Sequence, residues 1–230
     1  MRKMKLGVWV ACLSLAAVAA FAAESGASPG GDRPVRKRIE LFNGKDFAGW
    51  TFVLRDKDVD PASVWSVRDG VVHCKGQPYG YMRTTKDYGD FRLTYEWRWV
   101  GKGTNSGCLV FMTGEDKVMP ACIEAQLGSG RAGDALGLGG ASFKELKAQE
   151  TKTIRVPRTK DDVEKPIGEW NRMVVVCKGA SMEVWVNGEH VNKATECVDP
   201  DGKTLAKGKI CLQSEGGPIE FRNIVLEPLK

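Results

Sequence analysis

Phe91-Arg92-Leu93-Thr94-Tyr95-Glu96-Trp97-Arg98-Trp99 decides the fold class. Phe91, Leu93, Tyr95, Trp97 and Trp99 take every second position, with Arg92, Thr94, Glu96 and Arg98 between them. Successive side chains of a strand leave opposite faces, so this period of two predicts a half-buried antiparallel strand with its aromatic side inward. Two further apolar runs follow, CLVFMT from Cys108 and CIEAQLG from Cys122, separated by GKGTNSG and GEDKVMPA. On the last run Glu124 and Gln126 stand two apart and share a face. A carboxylate beside an amide suits chemistry on a sugar, and it equally suits the wet face of a sandwich.

Moving outward, Val64-Trp65-Ser66-Val67, Asp69-Gly70 and Val71-Val72-His73-Cys74 predict a hairpin, because Asp-Gly between β-branched runs supplies the turn. Trp65 is read either as core or as a surface for stacking a sugar ring. Tyr79 to Thr84 predicts a further short strand. The last third repeats the theme with Trp170–Cys177, Met182–Val186, an Asn187-Gly188 turn, Glu189–Lys193, Lys209–Gln213 and Ile219–Leu226. Outside the N-terminal segment no 3.6-residue period is sustained, and no repeat of fixed length is present. The expected fold is therefore all-β, a two-sheet antiparallel sandwich or jelly roll.

Two loops carry candidate polar groups. Gly101 to Gly107 holds Thr104-Asn105-Ser106, whose amide and hydroxyl suit hydrogen bonds to sugar hydroxyls; no Gly-Lys-Ser/Thr follows, so it is not a phosphate cradle. Between Gly128 and Pro157 six glycines crowd around Asp134, which is read as a flap over one sheet with one helical turn near Phe143–Ala148.

The chain opens MRKMK, continues through an uncharged apolar run, and reaches Ala20-Phe21-Ala22, which predicts a signal peptide over residues 1–22 and a periplasmic or secreted product. Residues 23–38, small and basic, read as a disordered linker, and 39–230 as a single sandwich domain. The leader and linker account for the whole formal net charge of +5, so the domain is near neutral and nothing points to nucleic acid. No membrane span is expected once the leader is cleaved. Six of the seven cysteines lie in the domain, which permits disulfides without requiring them. With two histidines and no ligand spacing, no cofactor is expected; a divalent cation held by carboxylates with His73 or His190 is left open.

The segments resemble the 3-keto-disaccharide hydrolase domain family, whose sandwich is concanavalin A-like. Leu41-Phe42-Asn43-Gly44-Lys45-Asp46 with Gly49-Trp50 carries the likeness, as do Asp90-Phe91, Asn105-Ser106-Gly107, Glu124-Ala125-Gln126-Leu127 and Gly168-Glu169-Trp170-Asn171. Leu212-Gln213-Ser214-Glu215-Gly216 and Glu220-Phe221-Arg222-Asn223-Ile224 complete it. The resemblance implies an exported enzyme that cleaves the glycosidic bond of 3-keto-glycosides or disaccharides, by hydrolysis or by elimination starting at C2. On it, Glu124 is the candidate base or acid and Glu96 the second carboxylate. Gln126, Asn105, Ser106, Arg98, Trp65 and Asp134 are the candidate substrate-binding residues. The related glucanases use a Glu-x-Asp-x-x-Glu strand, and Gln126 and Ser129 replace its second and third carboxylates here. A carbohydrate-binding module without turnover is the alternative.

Overall fold

A computed structural model describes residues 37–229. The expected leader lies outside the described residues, as does all of the linker before Lys37.

Two antiparallel sheets stack on a common core. One has eight strands in the order Glu189–Ala194, Ser181–Val186, Asn171–Lys178, Phe91–Trp99, Ile219–Pro228, Val71–Cys74 and Trp65–Arg68, with Ile39–Glu40 also paired to Ile219–Pro228. The other has seven: Arg155–Val156, Ala135–Leu138, Ala121–Gln126, Gly107–Thr113, Lys209–Ser214, Gly80–Thr84 and Trp50–Leu54. The sandwich expected from the alternation is the one observed. Both predicted two-residue turns form with paired positive φ, at Asp69 (51°) and Gly70 (74°) and at Asn187 (51°) and Gly188 (95°), the geometry that matches the twist of a hairpin.

The strand from Phe91 to Trp99 buries its aromatic side completely and leaves Arg92, Thr94, Glu96 and Arg98 part-exposed. Its inward residues meet Met82, Val110, Phe111 and Ile123 of the opposite sheet, and Trp65 joins them at 1% exposure. The chain then crosses over, so Phe91–Trp99 lies in one sheet while Gly107–Thr113 and Ala121–Gln126 are neighbours in the other. This crossover puts Glu96 and Glu124 on opposite outer faces of the sandwich.

The seven-stranded sheet is buried on both sides. Its outer face carries a second apolar cluster of Tyr81, Leu109, Met112, Cys122, Leu136, Leu138 and Cys211. A bulge supplies part of it: Phe111 sits at φ 58° where the register slips between Val110 and Thr113, which keeps Phe111 in the main core and turns Met112 outward. The loop of residues 114–120 covers this cluster. Arg83 donates twice to Asp116 (2.6 and 2.7 Å), and the Tyr81 hydroxyl donates to the Lys117 carbonyl at 2.8 Å. Burial on both faces explains why Cys108-Leu109-Val110-Phe111-Met112 reads as an unbroken apolar run.

The stretch expected to be a flap over Gly128–Pro157 is instead partly built into the sheet. Ala135–Leu138 pairs with Ala121–Gln126, and Arg155–Val156 adds the edge strand, with one helical turn at Lys144–Lys147 between them. The glycines that hid this strand are needed there: a methyl at Gly137 would strike the Ala141 carbonyl oxygen. The six described cysteines are all free and buried.

Gly80 gives a stability prediction. A Cβ there would stand 2.8 Å from the Leu54 Cα and closer still to the Val53 carbonyl of the adjacent strand, both backbone atoms. Because backbone cannot swing aside, Gly80→Ala should destabilise the fold by roughly 1–3 kcal/mol. A shift in the denaturant midpoint at constant slope measures it; an unchanged midpoint refutes the packing argument.

Candidate functional site

Glu124 sits at the middle of the seven-stranded sheet, with Leu109 opposite it on one side and Leu136 on the other. Between two leucines it keeps only 2% of its surface exposed. Burial disfavours the carboxylate, and the nearby charge of Glu215 adds to the effect, while the Arg131 guanidinium opposes it. The balance pushes the Glu124 carboxyl up to about 8.

Gly107, next along the neighbouring strand, gives the carboxyl its room. Glu124 Oε1 and Gln213 Oε1 both lie within 3.0 Å of the point where a Cβ on Gly107 would stand. The head groups of Glu124 and Gln213 therefore converge over that glycine. Both oxygens are buried and neither receives a hydrogen bond. A proton on Glu124 would satisfy the pair at once, with the acid donating to the Gln213 amide oxygen. That agrees with the raised pKa and leaves Glu124 neutral when nothing is bound.

Around this centre the site becomes progressively wetter. Gln213 Nε2 donates to the Tyr79 hydroxyl at 3.2 Å, and that hydroxyl donates to the Met119 thioether at 3.0 Å. Glu215, two residues beyond Gln213, is half-buried, and Arg131 is exposed. Asn105 Oδ1 is buried without a donor, and it faces Arg131 across Gly128: a Cβ there would meet Asn105 Oδ1 at 2.9 Å and Arg131 Nη2 at 3.0 Å. Gln126, 3% exposed, accepts from the backbone N–H groups of Leu127 and Gly128, each at 2.9 Å, and so fixes the turn beneath Arg131. Glu164 clips the same turn from outside by accepting from Ala132 N at 2.9 Å.

Of the residues singled out from sequence, the structure brings together Glu124, Gln126 and Asn105. Ser106 is next to them, but its hydroxyl donates to the Gln213 carbonyl at 2.9 Å, tying the loop to that strand. The others are elsewhere. Glu96 accepts from Arg222 Nε at 2.6 Å on the outer face of the eight-stranded sheet, and Arg98 beside it donates to Glu220 at 2.6 Å while its guanidinium lies 4.6 Å from the Trp170 ring centre. Neither can share a cleft with Glu124, because the whole sandwich intervenes. Trp65 is core and offers no stacking surface. Asp134 is a structural ion partner, taking Arg155 Nη1 at 2.9 Å and the Arg158 backbone N–H at 2.8 Å.

Tyr79, Arg131, Gln213 and Glu215, which are not among the candidates read from sequence, also lie in the cluster around Glu124. Gln213 and Glu215 repeat the i, i+2 spacing of Glu124 and Gln126, and that signal was legible. Among the described residues no cluster of His, Cys, Asp and Glu is arranged to hold a metal ion. His73 pairs with Glu220 at 2.8 Å on the opposite sheet, and His190 packs against Trp185.

Comparison with known proteins places the chain among carbohydrate-related sandwiches. A candidate glycosyl hydrolase from Parabacteroides distasonis ATCC 8503 is 26% identical, aligning over 84% of this chain and 94% of its own with a TM-score of 0.61. The fold is shared more distantly with the β-glucanase of Bacillus licheniformis (14% identity, 88% of this chain and 100% of that one, TM-score 0.54). It is shared as well with the carbohydrate-binding module CBM66 of Bacillus subtilis (8%, 78% and 95%, TM-score 0.54). No curated protein matches this chain in sequence. Residues 37–227 match a family model across almost the whole described sandwich, and the chain belongs to the 3-keto-alpha-glucoside-1,2-lyase-like domain family.

Proposed function

We propose that this protein cleaves 3-keto-glycosides by base-initiated elimination, with Glu124 as the base. The observation that carries the reading is a carboxyl buried at the centre of a polar cluster, raised to about 8 and holding a buried oxygen without a donor. Such a group is a poor stabiliser of the fold and a good proton acceptor near neutral pH.

A ketone at C3 acidifies the proton on C2. Glu124 takes that proton, and the electron pair becomes the C2=C3 bond of an enolate with its charge on the C3 oxygen. Arg131 and the Gln126 side-chain N–H group are assigned as the donors to that charge. The C3 carbonyl then re-forms, a C1=C2 bond appears, and the bond from C1 to the leaving oxygen breaks. Addition of water to the product gives net hydrolysis. Export follows the same reading: the basic start and apolar run of the leader support an extracytoplasmic enzyme.

The test is incubation of the purified mature domain with a 3-keto disaccharide and with the parent disaccharide. Only the keto substrate should release monosaccharide, and the rate should climb as pH rises through about 8, where Glu124 ionises, and level off above it. Binding of both sugars with no release would replace this reading with that of a carbohydrate-binding module.

A further inference from the structure

We propose that Tyr79 is the acid that protonates the departing oxygen of the substrate. This inference rests on the elimination reading above and supplies the half of the reaction that one carboxylate leaves open. Three observations converge on it.

First, the Tyr79 hydroxyl is held within the same cluster. Gln213 Nε2 donates to it at 3.2 Å, and the oxygen of that same amide meets Glu124 over Gly107. The base and the phenol therefore flank a single glutamine side chain. Second, the phenol proton has no strong acceptor. Its present partner is the Met119 thioether at 3.0 Å, a weak acceptor that a better oxygen would displace without much loss. Third, Met119 also borders a cavity of about 500 Å³ whose walls include Leu138, Leu146 and Ile154. Moving Met119 away from the Tyr79 hydroxyl would therefore displace a side chain that already borders open space.

The electrostatics suit the role. Burial, then the charges of Glu215 and Glu124, push the Tyr79 phenol well above its ordinary value. It therefore keeps its proton in the mildly alkaline range where Glu124 gives its own up. A sugar or alkyl alkoxide is itself a very strong base, so a weak acid of this kind can still protonate it as the C1–O bond breaks.

The proton balance is closed. Glu124 gains the C2 proton, the C1–O electron pair goes to the leaving oxygen, and the Tyr79 O–H proton bonds to that oxygen. Tyr79 is half-buried, so the tyrosinate recovers its proton from water. Glu124 returns its own proton to solvent, and nothing is oxidised or reduced overall.

The experiment compares a 3-keto disaccharide with a 3-keto p-nitrophenyl glycoside, whose phenolate leaves without needing a proton. Tyr79→Phe should lower kcat on the disaccharide by roughly 10²–10⁴-fold and on the aryl glycoside by a far smaller factor. Equal losses on both substrates would assign Tyr79 a purely structural role, and no loss on either would remove it from the reaction; both outcomes overturn the proposal. If the phenylalanine variant does not fold, 3,5-difluorotyrosine at position 79 keeps the ring shape and acidifies the phenol. The alkaline limb of the disaccharide rate should then move to lower pH, and an unmoved limb counts against Tyr79. Wild-type protein inactive on both keto substrates would instead sink the elimination reading itself.

Discussion

Glu124→Gln should lower turnover of a 3-keto-glycoside by 10²-fold or more, the lower end of what a positioned general base contributes, while making the folded chain more stable at alkaline pH. The second half follows from the sign of the pKa shift. Folding moves the Glu124 carboxyl from 4.5 up to about 8, so between those values the folded state holds a proton that the unfolded chain has released. Stability from this group is intact below 4.5, falls as pH rises through the interval, and is lost above about 8. A pKa unit is worth about 1.4 kcal/mol, which makes the loss on the order of a few kcal/mol. Glutamine has no charge to bury, and its amide can donate to the Gln213 oxygen that now lacks a donor. The variant should therefore unfold at a higher temperature than wild type at pH 9, with the difference closing towards pH 5. Thermal unfolding of both proteins across that range, beside turnover assays, tests the two halves together. Wild-type activity in the variant would remove Glu124 from the mechanism, and a lower melting temperature at pH 9 would show that its carboxylate is stabilised after all.

Alternation along Phe91–Trp99 and the Asp-Gly and Asn-Gly turns are local signals, set by side chains a few residues apart, and they carried the sandwich. The same parity placed Glu124 and Gln126 on one face correctly. It could not say which sheet each strand joins. Glu96 satisfies every local criterion that Glu124 does, yet the crossover after Trp99 sends it to the far side of the molecule, where Arg222 neutralises it. Tyr79 and Gln213 meet through pairings between strands more than a hundred residues apart, and no spacing within either segment reports that. Trp65 illustrates the converse: its hairpin was legible, while the face it shows to the core depends on which strands stack above it.

Gly107→Ala should reduce kcat by roughly 10²-fold with little change in stability, and it isolates geometry from chemistry because no reacting group is altered. Gly107 has ordinary strand backbone and pairs with Gln126 in the middle of the sheet, so alanine suits its φ and ψ and even removes some freedom from the unfolded chain. The new methyl would meet only Glu124 and Gln213 as its nearest neighbours, touching the carboxyl and amide ends of flexible side chains. Those ends can rotate away at small cost, unlike the backbone that an alanine at Gly80 would strike. Rotation moves the Glu124 oxygen by about an ångström, and a shift of that size at a reacting atom costs on the order of 10²-fold. It also tilts Gln213, which holds the Tyr79 hydroxyl, so base and acid lose their alignment together. Melting temperature and kcat measured on the same preparation decide the matter: lost activity with a preserved fold means that the glycine exists to seat the carboxyl. Full activity in the alanine variant would mean that the Glu124 and Gln213 head groups do not need to meet over position 107 for the reaction to proceed.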